Sequence, residues 1–199
     1  VDEVYKDLDH LIDRALKAKE KKEAVSIAYD GNIVDLWEAI VPKGIKIDIG
    51  SDQTSLHNPW SGGYYPVDIS FDDANRMMSN SPKKFKKEVQ KTLVRHVNAI
   101  NTLCDRGMYF FDYGNAFLLE AKRAGASIIN QNGEFKYSSY VQDIMGPMCF
   151  DYGFGPFRWV CTSNNKEDLK ITDKIAYNTL KEIYKEAPED VKLQINDNI

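Results

Sequence analysis

Six apolar residues, Phe85, Val89, Leu93, Val97, Ile100 and Leu103, recur at intervals of three or four between Ser81-Pro82 and Gly107. That spacing predicts one long amphipathic helix reaching about Arg106, and its apolar face has to be buried against another layer. Ser81 is expected as its N-cap, Pro82 at its first position, and Gly107 as its stop. His96 borders the stripe and reads as a packed or partly exposed residue. The basic cluster Lys83, Lys84, Lys86 and Lys87 opens the helix and reads as a solvated face. Whatever else the chain does, it must wrap this element.

The residues before the long helix follow a different pattern. Residues 2–19 are expected to be helical, because Val4, Leu8, Leu11, Ile12 and Ala15 keep helical spacing; His10 lies off that stripe, on the surface. Lys19–Glu23 reads as a charged linker and Ala24–Tyr29 as a short buried strand. Asp30-Gly31-Asn32 turns the chain into a helix over Ile33–Val41, stopped by Pro42 and Gly44. Ile45–Ile49 alternates with period two and is expected to be a second strand. Helix, strand, helix, strand is the order of an α/β layer with parallel strands.

Gly50–Pro66 follows, with one His, one Asp, one Gln, a Thr-Ser pair, two Tyr and one Trp. Such a density of hydrogen-bonding side chains suits a loop that wraps a polar ligand, although Asn58-Pro59 and Gly62-Gly63 are ordinary turn chemistry. Ligands of open α/β sheets bind beyond the carboxyl ends of strands. This loop and Asp30-Gly31-Asn32 are therefore expected to project from the same edge of one sheet.

Beyond the loop, Ser70 and Asp73 form a capping signal for a helix to Met78. Met108–Phe111 reads as a strand, Asp112-Tyr113-Gly114-Asn115 as a polar turn or an N-cap, and Ala116–Ala124 as a helix closed by Gly125. Residues 126–139 read as a loop or hairpin and Tyr140–Met145 as a short helix. Phe150–Trp159 is a second dense stretch, in which Arg158 lies between aromatic residues. There it could stack structurally or offer its fork to a carboxylate. Leu169–Glu186 carries a last helical pattern, broken by Pro188, and a polar tail follows.

A net charge of −4 gives no general attraction to nucleic acid. No apolar run approaches the length of a membrane span. Cys104, Cys149 and Cys161 show no metal-ligand spacing, so a metal site is not expected, and a reducing, cytosolic compartment fits. The sequence starts at Val1 without Met, and both ends look cut, as in a piece of a longer protein.

Taken together, Asp30-Gly-Asn32, Asp52-Gln-Thr-Ser-x-His57, Gly63-Tyr-Tyr-Pro66, Phe111-Asp-Tyr-Gly-Asn115 and Gly155-Pro-Phe-Arg-Trp159 resemble the urocanate hydratase (urocanase) family, in that family's order. The likeness runs from the first helix to about Asp173, and Asn115–Glu120 is similar to the animal and protist branch. The resemblance implies an α/β fold: the end of a Rossmann-like, parallel-sheet NAD domain over residues 1–49, then a mixed, largely helical core-domain segment over 50–199. It implies a cytoplasmic, homodimeric hydro-lyase of histidine degradation that adds water to urocanate, giving imidazolone propionate. Tightly bound NAD+ would act as an electrophile rather than a net oxidant.

By the same resemblance Asn32, Ile33, Gln53, Thr54, Ser55, Leu56, His57, Tyr64, Tyr65 and Tyr113 would contact NAD. Arg158 would meet the propenoate of urocanate or the charge developed when substrate and cofactor join, and His57 could also move a proton. The glycine-rich cofactor loop of the family would lie upstream, so residues 1–199 alone are expected to be inactive. None of the cysteines takes a catalytic role, and Asp68 stands where an uncharged residue is expected. Two other readings stay open from the residues alone: another NAD-dependent enzyme with a different small substrate, and a non-catalytic binding module.

Overall fold

A computed structural model describes residues 1–52, 58–114, 116–152 and 162–198. The described chain divides into two compact units, residues 1–140 and 141–199.

In the first unit the long helix forms as its stripe requires. It is α4, Pro82–Asp105, following β1 (Glu3–Tyr5), α1 (Leu8–Lys21), β2 (Ile27–Tyr29), α2 (Ile33–Ile40), β3 (Ile49–Asp52) and α3 (Phe71–Asn80). After it come β4 (Tyr109–Asp112), α5 (Phe117–Arg123) and β5 (Ser138–Ser139). All six stripe residues are at most 1% exposed, and α4 packs against α2, α3, α5 and β4. Phe85 and Phe117 are fully buried, and burying a side chain of that size is worth about 1.5–3 kcal/mol. Gly107 leaves the helix with φ +99°, the left-handed conformation glycine adopts without strain.

The first strand was not expected. Residues 3–5 pair in parallel with β2, Glu3 opposite Ile27 and Tyr5 opposite Tyr29, so the helix begins only at Leu8. The apolar spacing through Val4 is shared by the two conformations; what separates them is Asp7, whose carboxylate caps α1 by accepting from His10 N at 2.8 Å. Arg14, in the second turn of α1, grips Glu3 with Nη2 at 2.7 Å and fixes helix to strand. At its other end α1 runs through most of the expected linker and closes at Lys22, φ +53°.

The second expected strand is displaced. Residues 45–48 lie outside the ladder, and pairing begins at Ile49, whose partner is Tyr109. Ile45 and Ile47 instead line an apolar groove of about 480 Å³ with Leu11, Ile12, Leu36 and Ile40 of α1 and α2. Their alternation therefore serves helices rather than a neighbouring strand. Gly50, Ser51 and Asp52, expected in the polar loop, are strand residues.

Among the described residues the strands also form two parallel sheets rather than one, β1–β2 and β3–β4–β5. Asp30–Asn32 and the loop after Asp52 thus leave different sheets, because β3 finds its partner across the long α3–α4 crossover and not in β2.

Smaller corrections concern helix ends. Ser70 caps α3 as expected, accepting from Asp73 N at 3.1 Å. Ser81 occupies the cap position of α4, but its side chain makes no capping bond there. The cap of α5 is Ala116 at φ +68°, not Asp112, which ends β4; Asn115 lies outside the described residues. In the second unit, α6 (Gly146–Met148) and a short turn at Phe150–Tyr152 precede α7 (Lys166–Glu186). The expected polar tail is a further helix, α8, Glu189–Asn198. Pro188 initiates it, since a proline needs no N–H partner at a helix start; its carbonyl accepts from Lys192 N at 2.9 Å.

Candidate functional site

Parallel pairing brings several polar and aromatic residues to the carboxyl ends of strands, where ligands of such folds are bound. β2 ends in Asp30-Gly31-Asn32. Gly31 lets the Tyr29 ring fold over the turn: a Cβ would lie 2.3 Å from that ring and would displace it. Asn32 then caps α2, its Oδ1 accepting from Val34 N at 3.0 Å, while its Nδ2 donates to the Tyr65 carbonyl at 3.0 Å. That second bond joins the two stretches that a common sheet edge was expected to unite.

Around this junction lies a cavity of about 590 Å³, lined among others by Asp30, Asn32, Asp35, Tyr65, Asp68 and Phe71. Its rim carries three carboxylates. Burial, reinforced by Asp68, holds the Asp35 carboxyl above its ordinary pKa. Two of the three are ion-paired, Asp30 with Lys6 at 3.3 Å and Asp68 with Arg95; the rim as a whole offers acceptors, which suit hydroxyl groups that can donate to carboxylates. Asp68, unexplained by sequence, sits at φ +62° and pairs with Arg95, which also clasps Glu38 with Nε–Oε1 at 2.8 Å. Its charge answers a cation on α4.

Tyr65 stacks on Phe71 with ring centres 4.9 Å apart, and its hydroxyl donates to Asn75 Oδ1 at 2.8 Å. Tyr65 therefore lines the cavity from a fixed position. Tyr64 differs. It is 5% exposed and its hydroxyl lies 3.0 Å from His96 Nδ1. Burial first, and then the charge of Asp52, push the phenol well above its ordinary pKa. Burial alone lowers His96 to about 3, so the imidazole is neutral at physiological pH. Ile33 is exposed at the start of α2.

The β3–β4–β5 edge forms a second group. Asp52 and Asp112 stand opposite each other in register, both buried. Tyr113, one residue beyond β4, stacks face to face on Tyr140 beyond β5, with centroids 4.9 Å apart and planes within 6°. Stacked tyrosines at strand ends offer a flat apolar surface with polar rims. Asp52, Asp112, Tyr140 and His96 were not singled out from sequence as site residues. The two aspartates did sit inside recognisable motifs, whereas Tyr140 had no local signal and joins Tyr113 only through strand pairing. Gln53, Thr54, Ser55, Leu56, His57 and Arg158 lie outside the described residues. Among the described residues no group of three or more His, Cys, Asp or Glu is placed to hold a metal ion, and no helix is long and apolar enough to cross a membrane.

Parallel strands, helical crossovers and polar residues gathered at strand ends define an α/β protein of the Rossmann-like class. Residues 1–144 match the family model described as the urocanase Rossmann-like domain, and residues 147–194 match the urocanase C-terminal domain. The chain belongs to the urocanase family. It is 57% identical over 202 residues to a probable urocanate hydratase of Dictyostelium discoideum. It is 52% identical over 206 residues to the urocanate hydratase of Mus musculus and 50% identical to that of Homo sapiens. These alignments take in 98–99% of this chain but 30% of each relative, so the chain spans about a third of the length of the curated relatives it matches.

Proposed function

We propose that the protein to which this chain contributes is a urocanate hydratase, adding water to urocanate to give imidazolone propionate in histidine degradation. The observation that carries the reading is 50–57% identity, along nearly the whole chain, to proteins named for that activity.

NAD+ is the proposed cofactor, and when bound its electron-poor nicotinamide ring would supply the electrophile. The residues present fit a nucleotide in part. The cavity at Asn32 and Tyr65 lies beyond a parallel strand, and its carboxylate rim can accept from ribose hydroxyls. That rim offers pyrophosphate acceptors rather than donors, so pyrophosphate would be held elsewhere; Gln53, Thr54, Ser55, Leu56 and His57 are proposed for that part. Asn32 would act chiefly by holding the turn, since both ends of its amide are engaged. Ile33 offers an exposed apolar contact, and Tyr113 with Tyr140 a flat stacking surface. Tyr64, buried against His96, would support the site from behind rather than face it. Arg158 is proposed to bind the substrate carboxylate as a bidentate partner, and His57 to donate a hydrogen bond or move a proton.

The division into an inserted nucleotide domain ending near residue 49 and a core resuming at 50 belongs to the same proposal, as do a cytoplasmic location and a homodimer. The change from the β1–β2 sheet to the β3–β4–β5 sheet near that point supports the division.

The test is loss of the ultraviolet absorbance of urocanate on incubation with the full-length protein, without added NAD. Absence of turnover by protein carrying its cofactor would overturn the reading. Arg158→Ala is expected to weaken urocanate binding about 10- to 100-fold, as loss of a bidentate charge pair does. Residues 1–199 alone are expected to be inactive, and turnover by them would overturn that part.

A further inference from the structure

We infer that Thr92 and His96 of α4 are positioning residues that clamp the Tyr64–Val67 segment and so set the cofactor side of the site. The inference rests on the urocanase reading for the identity of the ligand.

Thr92 and His96 stand one helical turn apart on the buried face of α4, 2% and 1% exposed. Each spends its polar group on the same short segment. Thr92 Oγ1 accepts from Val67 N at 3.1 Å, while its own proton goes to the Glu88 carbonyl at 2.9 Å. His96 Nδ1 meets the Tyr64 hydroxyl at 3.0 Å. Between the two gripped residues lie Tyr65 and Pro66, and the Tyr65 carbonyl is the acceptor for Asn32. Four residues are thus held at both ends from α4 and in the middle from the N-terminus of α2. Tyr65 and Pro66 form a wall of the cavity while Tyr64 and Val67 are anchored in the core.

The apolar surroundings make the clamp stiff. The His96 ring packs against Phe117 at 5.0 Å and Trp37 at 6.1 Å between centroids while its Nδ1 meets the Tyr64 hydroxyl. Because His96 stays neutral, the Tyr64 bond is a neutral one in a water-poor site. Losing it leaves a buried polar atom without its partner. A carboxylate or ammonium in place of His96 would bring a charge that the ring cage cannot solvate. Polar residues held this way fix geometry more than they add binding energy. The expected signature is therefore an altered cofactor affinity rather than an altered reaction once the cofactor is in place.

The experiment measures the dissociation constant for NAD by calorimetry on full-length protein stripped of cofactor, with a thermal melt of each variant. Thr92→Val keeps the shape of the side chain and removes the acceptor. Tyr64→Phe removes the hydroxyl and keeps the ring. Each is expected to bind NAD about tenfold more weakly, the scale of one lost buried hydrogen bond, with kcat restored at saturating NAD. Thr92→Ser and His96→Asn, which keep a polar atom at the required place, are expected to stay within about threefold of the parent. The inference is overturned if Thr92→Val and Tyr64→Phe melt lower but bind NAD with parental affinity, which a purely structural role would give. Equally weak binding by Thr92→Ser and Thr92→Val would overturn it too, as would a parent protein that hydrates urocanate without binding NAD. Failure of the parent to hydrate urocanate while these NAD shifts persist would overturn the catalytic reading and leave the clamp standing.

Discussion

Arg95 and His96 are neighbours on α4, yet they represent opposite solutions to placing a polar side chain. Arg95 is about a third exposed and holds Glu38 and Asp68 in a charged network at the rim of the fold. The two carboxylates raise its pKa further above an already high value. His96, turned 100° around the same helix, is fully buried, uncharged and bound to a single phenol. The network has more contacts and the stronger individual bonds, but it competes with water and salt. The His96–Tyr64 bond has no such competitor, so the side with fewer interactions is the more sensitive to change.

The sharpest way to break this comparison is to put a charge on the buried side. His96→Lys is expected to cost several kcal/mol, enough to lose the cooperative transition in a urea melt, because an unpaired ammonium would replace a neutral ring. An ordinary two-state transition near the parental midpoint would show that the pocket can admit water.

A second effect, intermediate in size, is pH dependence. Burial depresses His96 from 6.5 in the unfolded chain to about 3 in the folded one. Between those values the unfolded state binds the extra proton. Its contribution to stability is therefore complete above about pH 6.5 and is lost as pH falls toward 3, with a slope of up to ~1.4 kcal/mol per pH unit. Melting temperatures of the parent and of His96→Asn, followed from pH 7 to 4, isolate this group, since Asn does not titrate while every other ionisable group is common to both. Parallel curves would mean that the imidazole is protonated in the fold.

The smallest effect is expected on the exposed side. Arg95→Ala should lower stability by about 1 kcal/mol or less, and the difference should shrink further in 1 M salt. A loss of several kcal/mol, insensitive to salt, would place the Arg95 network with the buried class.

Much of this was legible in the sequence, and the exceptions share a cause. The stripe from Phe85 to Leu103, the capping serine at position 70 and the stops at Gly107 and Gly125 are local signals, and each was realised where it was written. β1 was hidden because Val4 serves helical and extended spacing alike, and only β2, more than twenty residues on, makes the strand. β3 slid from 45–49 to 49–52 because Ile45 and Ile47 found the α1 and α2 faces instead. At the candidate site, motif order singled out Asn32, Tyr65 and Tyr113. The Tyr140 that stacks on Tyr113, and the two buried aspartates facing each other across β3 and β4, depend on parallel register.

The sequence by itself determined the α/β class, the long central helix, the turn chemistry and, through its motifs, the urocanase family. It did so because helical periodicity, caps and glycine stops act within a few residues of their own position. The tertiary structure alone decided that the described strands split into two sheets, that His96 is packed in the core rather than partly exposed, and that Asp68 is a partner for Arg95. Those outcomes follow from which surfaces can be buried together. A buried histidine is accepted only where a phenol and two aromatic rings converge on it from elements far apart in the chain.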